Sequence, residues 1–295
     1  MGLGIFKQDI GIDLGTANTL VYIKGKGIVL DEASVIAYNN NTKKIIAVGN
    51  EAKNMIGAAP PHINVVRPLQ EGVISDFGMT SMMLKYFLER VIPTSSFFTS
   101  VRVVIGVPSG VTEVEKRAVE EVTRQMGAKE VFIMEEPMAA AIGVGLEVDS
   151  PTGCMITDIG GGTSDIAIIS LGGIVTSTSL RKAGDKMNEA IINHIRKTYG
   201  LLIGEKMAEK AKIAIGCAFI DESDPDWVLR SNISGRDLAT GLPKTIEVSS
   251  KDICSALEEL VQEIVDGVKA TLENAPPELA ADIINTGMVL AGGGS

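Results

Sequence analysis

One glycine-rich hairpin is written twice in this chain, about half a chain length apart. Residues 13–29 read DLGTANTLVYIKGKGIV, and residues 158–175 read DIGGGTSDIAIISLGGIV. Each copy runs Asp, apolar residue, Gly, a turn of small residues, an apolar strand, a Gly turn and Ile-Val. Solenoids repeat every roughly 20–50 residues, so a period this long points to two halves of one duplicated fold. Ile10, Ile12 and Leu14 alternate, which turns Asp13 to the opposite face of its strand. Small, Gly-rich tips suit tight hairpins.

Between the copies, the pattern alternates strand and helix. Residues 101–107 (VRVVIGV) form an expected buried strand. Thr112 followed by Glu115 is a capping box for a helix carrying Val114, Ala118, Val122 and Met126 and ending before Gly127. Val131 to Met134 is the next strand, and Glu135-Glu136-Pro137 opens a helix of small residues. After the second hairpin, 188–197 and 205–215 are expected helices, and 221–249 a β-rich insertion that starts with an acidic loop. Ile253, Leu257, Leu260, Ile264, Val268 and Leu272 mark a long amphipathic helix that Pro276 and Pro277 terminate. This alternation predicts an α/β fold. A strand at 287–290 is followed by Gly292-Gly293-Gly294 and Ser295, and further sequence is expected beyond such a turn.

Composition narrows the function classes. Lys plus Arg number 27 and Asp plus Glu 37, a net charge of −10 with no long block of one sign, so no nucleic-acid partner is expected. Aromatics are only 4%, too few for a broad base-stacking surface. His62 and His194 are the only histidines, which excludes a His-rich metal site. Cys154, Cys217 and Cys254 are widely spaced, with no CxxC, as in a reduced cytosol. No apolar run approaches the roughly 20 residues of a membrane span, and the first seven residues are too short for a signal peptide. A cytoplasmic protein is expected, with peripheral membrane contact left open.

The chemistry lies in the two turns. Gly15, Thr16, Ala17 and Asn18 form one tip; Gly160, Gly161, Gly162 and Thr163 form the other. Glycines let backbone N–H groups come close to phosphate oxygens, and the two threonine hydroxyls add donors. Asp13 and Asp158 repel phosphate but suit Mg²⁺, usually through waters, because that ion dehydrates reluctantly. Two such turns face to face would clamp a triphosphate. GxxxxGK[ST] is absent, so this is not a P-loop. Glu135 and Glu136 stand where strand meets helix. They either orient a water for attack on the γ-phosphate or simply favour the helix N-terminus.

Beyond the paired turns, which mark the actin, chaperone and sugar-kinase superfamily, other segments are more specific. EEPMAAAIG (135–143), AGDKMNEAIINHIRKTYGLLIGE (183–205), GRDLATGLPKTI (235–246), PPELAADII (276–284) and LAGGG (290–294) resemble the MreB family of bacterial actin homologues. The resemblance covers the whole chain and implies an actin-like fold, two RNase H-like domains flanking a nucleotide cleft. The domains would be 1–150, with a small insertion at about 31–76, and 151–295, with a β-rich insertion at about 186–250. The family continues past LAGGG into a segment that packs back on the first domain.

The resemblance implies an ATPase that polymerises into membrane-associated filaments, with paired protofilaments, and organises cell-wall synthesis with membrane proteins of the elongation machinery. ATP and Mg²⁺ are the implied cofactors. Gly15 to Asn18 and Gly160 to Thr163 would contact phosphates, and Asp13 and Asp158 would hold Mg²⁺ through waters. Glu136 would position the attacking water beside Thr163. Gly184 and Asp185 would lie near the ribose, and Glu209 and Lys212 would border the adenosine with Gly292, Gly293 and Gly294. Phe97 and Phe98, adjacent in a polar loop (PTSSFFTS, 93–100), match a hydrophobic pair through which some members bind membrane. Other readings compatible with the turns are a division or DNA-segregation filament, a chaperone-type ATPase and a small-molecule kinase.

Overall fold

A computed structural model describes residues 6–92, 99–109, 111–220 and 228–295. Phe97, Phe98 and the acidic loop from Asp221 to Asp226 lie outside the described residues. By compactness the chain divides into Met1–Arg181 with Thr271–Ser295, and Lys182–Ala270. This is a different division from one at residue 150, which follows the repeat, and it leaves both hairpins in one unit.

The first unit begins with β1 (Phe6–Leu14), β2 (Asn18–Ile23), β3 (Gly27–Ala33), β4 (Ile36–Asn39), β5 (Ile45–Val48), α1 (Asn50–Met55) and β6 (Ile63–Val66). It continues through β7 (Leu69–Gln70), β8 (Val73–Ile74), α2 (Phe77–Val91), β9 (Thr99–Val107), α3 (Glu113–Gln125), β10 (Ala128–Glu135) and α4 (Glu136–Gly143). Next come β11 (Cys154–Ile159), β12 (Ser164–Ser170) and β13 (Gly173–Leu180). The second unit holds α5 (Gly184–Tyr199), β14 (Leu201–Leu202), α6 (Glu205–Ile215), β15 (Arg230–Asp237), β16 (Pro243–Ser249) and most of α7 (Ser250–Glu273). Finally α8 (Pro277–Thr286) and β17 (Met288–Ala291) return to the first unit.

The repeat is visible in strand order. The first sheet runs β10-β9-β1-β2-β3 and the second β13-β12-β11-β17. In each, an antiparallel meander starts with the repeated hairpin, and a later strand joins the free side of its first strand in parallel. That strand is β9 in one sheet and β17 in the other. Its register sets Gly106 beside Asp13 and Ala291 beside Asp158. Both parallel strands therefore end level with a repeated turn.

Period-two patterning makes this arrangement stable. Ile10, Ile12 and Leu14 are 2–3% exposed and pack with Phe87, Leu84, Val103 and Ile105 in one core. Every residue of β12 is buried, as expected of an interior strand between β11 and β13. The capping box forms as anticipated, with Thr112 accepting from Glu115 N and Glu115 bonding back to Thr112 N. The helix face differs from the expected one. Val119, Val122 and Thr123 are buried and Met126 packs on them, while Val114 is 78% exposed. Steps of four residues overshoot a 3.6-residue turn, so Val114 rotates off the buried stripe.

In the second unit β14, β15 and β16 form an antiparallel sheet. Helices α5 and α6 pack together, and α7 buries Ile253, Leu257 and Ile264 as the stripe predicts.

Candidate nucleotide site

The turn between β1 and β2 is shaped from below by Ser34, a fully buried residue just after β3. Its Oγ donates to Gly15 O at 2.6 Å, and its N–H donates to Ala17 O at 2.9 Å. The turn between β11 and β12 closes on itself, with Gly160 N–H donating to Thr163 O at 2.8 Å. The two tips abut. A Cβ added at Gly161 would lie 2.5 Å from Ala17 Cβ, and one added at Gly162 would lie 2.6 Å from Thr16 Oγ1. No side chain fits there, so these glycines are required by the meeting of the two turns.

A third segment joins them. Glu71 and Gly72 take positive φ values of 50° and 72° in the two-residue turn between β7 and β8, the left-handed pair that a tight hairpin prefers. Gly72 N–H donates to Thr16 Oγ1 at 3.2 Å, and Gly72 lies directly against the Thr163 methyl. Neither Ser34 nor this turn was identified from sequence as part of the site. The Glu-Gly pair is itself a legible turn signal, but nothing local says what the turn approaches.

Around the tips stand four carboxylates. Burial and then the nearby Asp158 push Asp13 from its ordinary 3.8 to about 6, although water still reaches its side chain. Glu136, first residue of α4, is held well above the usual carboxylate range by burial, followed by Asp13, Asp165 and Asp158. Asp158 and Asp165 are raised as well, burial leading in each. Asp165 accepts from the Ser179 and Thr163 hydroxyls and from Ser109 N–H, yet its Oδ1 is buried without a partner, as is Glu136 Oε1. Among the described residues, burial, hydrogen bonds and neighbouring acids account for the shifts of the four, with no positive charge among the causes. An all-oxygen, over-charged set with orphaned atoms fits a hard cation. Among the described residues no three acidic, His or Cys side chains converge as a direct metal shell. A Mg²⁺ held here would therefore keep most of its waters.

The remaining expected residues fall as follows. Asn18 donates from Nδ2 to Asp31 Oδ1 at 3.2 Å. Gly292, at φ 88°, packs on Asp158 and Ile159, and Gly294 N–H donates to Ile159 O at 2.8 Å, so both back the second turn while Gly293 faces open space. In the second unit, Lys212 Nζ donates to Gly184 O at 2.8 Å, joining α6 to the start of α5. Glu209 lies one turn before Lys212 on α6, and Asp185 follows Gly184 on α5.

A family model described as MreB/Mbl protein matches residues 7–295. The chain belongs to the MreB/Mbl family. It is 49% identical over 291 residues to the cell shape-determining protein Mbl of Bacillus cereus, spanning 99% of this chain and 86% of that protein. Against the cell shape-determining protein MreB of Escherichia coli K12 it is 49% identical over 296 residues, spanning 99% and 84%. The crystal structure of MreB 5 of Spiroplasma citri bound to AMPPNP superposes with a TM-score of 0.90 at 41% identity, covering 98% of this chain and 85% of that one. The fold is thus the actin-like one that the sequence motifs imply. Among the described residues no helix is long and apolar enough to cross a membrane.

The raised carboxylates make a pH dependence. A group whose folded pKa exceeds its unfolded value contributes stability that is complete below the unfolded pKa and is lost as pH rises through the folded one. For Asp13 that window runs from about 4 to about 6. Ligand-free protein is expected to lose thermal stability across it, and Asp13→Asn to flatten the loss. Parallel melting curves against pH for the two proteins check this; identical slopes would contradict the assignment.

Proposed function

We propose that this chain binds and slowly hydrolyses ATP, assembles into membrane-associated filaments and organises cell-wall synthesis that maintains rod shape. The abutting glycine turns ringed by four uncompensated carboxylates are the observation that carries this reading. It is further supported by the family and by the AMPPNP-bound relative. Backbone N–H groups of residues 15–18 and 161–163 bind the phosphates, Gly160 holding the second turn closed through its bond to Thr163 O, with the Thr16 and Thr163 hydroxyls beside them. When bound, Mg²⁺ would neutralise phosphate charge, and Asp13 and Asp158 are the side chains that would hold it through waters. Glu136 orients the attacking water in line and accepts its proton. Catalysis is then positioning and electrostatics without a covalent intermediate.

Gly184 and Asp185 serve the ribose in this reading, and Glu209, Lys212 and Gly292 to Gly294 the adenosine. Residues 1–150 and 151–295 are the two RNase H-like domains. Phe97 and Phe98 are the membrane contact, the inner face of the cytoplasmic membrane is the surface, and elongation proteins are the partners.

Sedimentation tests the assignment. With Mg-ATP, protein is expected to pellet above a critical concentration and release phosphate in step with assembly. Phosphate transfer to added sugars or acetate without pelleting would overturn the filament reading in favour of a kinase.

A further inference from the structure

The three cysteines are not equivalent. Cys154 on β11 is buried, its Sγ donating to Ile169 O at 3.6 Å. Cys217 and Cys254 are half-buried free thiols from different elements of the second unit. Cys217 follows Gly216, the residue that ends α6; Cys254 lies one turn into α7. The Cys217 Sγ donates at 3.5 Å to the carbonyl of Ser250, one helical turn before Cys254. Cys254 is the thiol that neighbours Cys217 across this contact, and burial first, then this neighbour, pushes the Cys217 thiol up. Cys254 lines a surface cavity with Ala218, Phe219, Lys251 and Glu258, and Phe219 is 74% exposed there. The sulfur pair therefore has an approach from solvent, on the Cys254 side.

We propose that Cys217 and Cys254 are a dithiol modification site, closed into an intramolecular disulfide by a peroxide or a small disulfide. A thiol seated on the Ser250 carbonyl, one helical turn before Cys254, is placed for side-chain rotation to bring the two sulfurs to a bond of about 2.05 Å. The step balances. The Cys254 sulfur, which borders the cavity, attacks one peroxide oxygen, breaking the O–O bond and leaving a sulfenic acid and one water. The Cys217 sulfur then displaces the sulfenic oxygen as a second water, its own proton leaving with it. Two thiols are oxidised and one hydrogen peroxide is reduced. In a reducing compartment such bonds are transient and signal redox state. The bond would fasten the end of α6 to the first turns of α7. Lys212 lies one turn before Gly216, whose N–H donates to Lys212 O at 2.8 Å. The oxidised state would thus restrain the segment after a proposed adenosine contact; that consequence rests on the nucleotide reading, whereas the bond itself does not.

Thiol counting tests it on the full chain. Reduced protein carries three alkylatable cysteines. After stoichiometric hydrogen peroxide, or oxidised glutathione, denaturing alkylation is expected to label only Cys154, on a monomer whose tryptic map joins the Cys217 and Cys254 peptides. Dithiothreitol should restore all three labels. Cys217→Ser should instead leave a dimedone-trappable sulfenic acid on Cys254 after peroxide. The same wild-type map decides the matter even if that variant folds poorly. Three labels after oxidation, a link between two molecules, or oxygen added without a link would each overturn the proposal.

Discussion

Glu136→Gln is expected to slow single-turnover ATP hydrolysis by about 10²–10³-fold, the range of a lost general base, with nucleotide affinity nearly unchanged. The side chain leaves β10 at the first position of α4, where Gly106 on the neighbouring strand leaves room: a Cβ there would sit 3.6 Å from Glu136 Cγ. One carboxylate oxygen is buried with no partner. Burial and three neighbouring acids raise its pKa, and a more basic carboxylate is a better proton acceptor. Glutamine keeps the shape and removes the proton acceptor. Neutralising a buried acid among acids also relieves repulsion, so the melting temperature of the ligand-free variant should not fall, which separates catalysis from folding. Glu135→Gln is the control. Glu135 is the N-cap residue of α4, its side chain makes no capping bond, and it should matter much less. Equal hydrolysis by wild type and Glu136→Gln would remove the water-positioning role.

Asp13→Asn and Asp158→Asn should each reduce the gain in ATP affinity that Mg²⁺ confers by at least about tenfold, or ~1.4 kcal/mol. Affinity for metal-free ATP should hold or rise. The signs differ because the same charge does two things. A carboxylate close to the phosphates repels them, yet with a hydrated cation between, it attracts. Asp13 and Asp158 occupy matching places, each on the strand that leads into a turn and each beside the end of a parallel strand. Calorimetric titrations with Mg²⁺ and with chelator read the difference directly. The same Mg²⁺ gain in both variants as in wild type would mean that the cation is held elsewhere.

Much of this molecule is local and therefore legible. Alternation at Ile10, Ile12 and Leu14, with small residues at 15–18, specifies a hairpin whatever surrounds it, and the same holds at 158–170. Helix starts at Thr112 and Glu135-Glu136-Pro137, and the break before Gly127, are written in caps and proline placement. The repeat carries further than local structure, because two copies of one motif imply two copies of one sheet. What periodicity could not supply is the phase of a face. Val114 fits the apolar spacing yet points to water.

By itself the sequence determined two glycine-rich hairpin turns with an aspartate before each and an α/β chain, and it nominated the residues proposed to serve a nucleotide. Tertiary structure alone decided what those turns meet. Parallel pairing of β9 with β1 and of β17 with β11 brings segments far apart in sequence to the same level. It sets Thr16 and Ala17 against Gly162 and Gly161, and brings the 71–72 turn onto both threonines. Burial there raises the carboxylates, and folding of the second unit sets Cys217 against the first turn of α7, one helical turn before Cys254. Such contacts depend on strand register and on chain closure over long separations, and no local spacing of residue types encodes either.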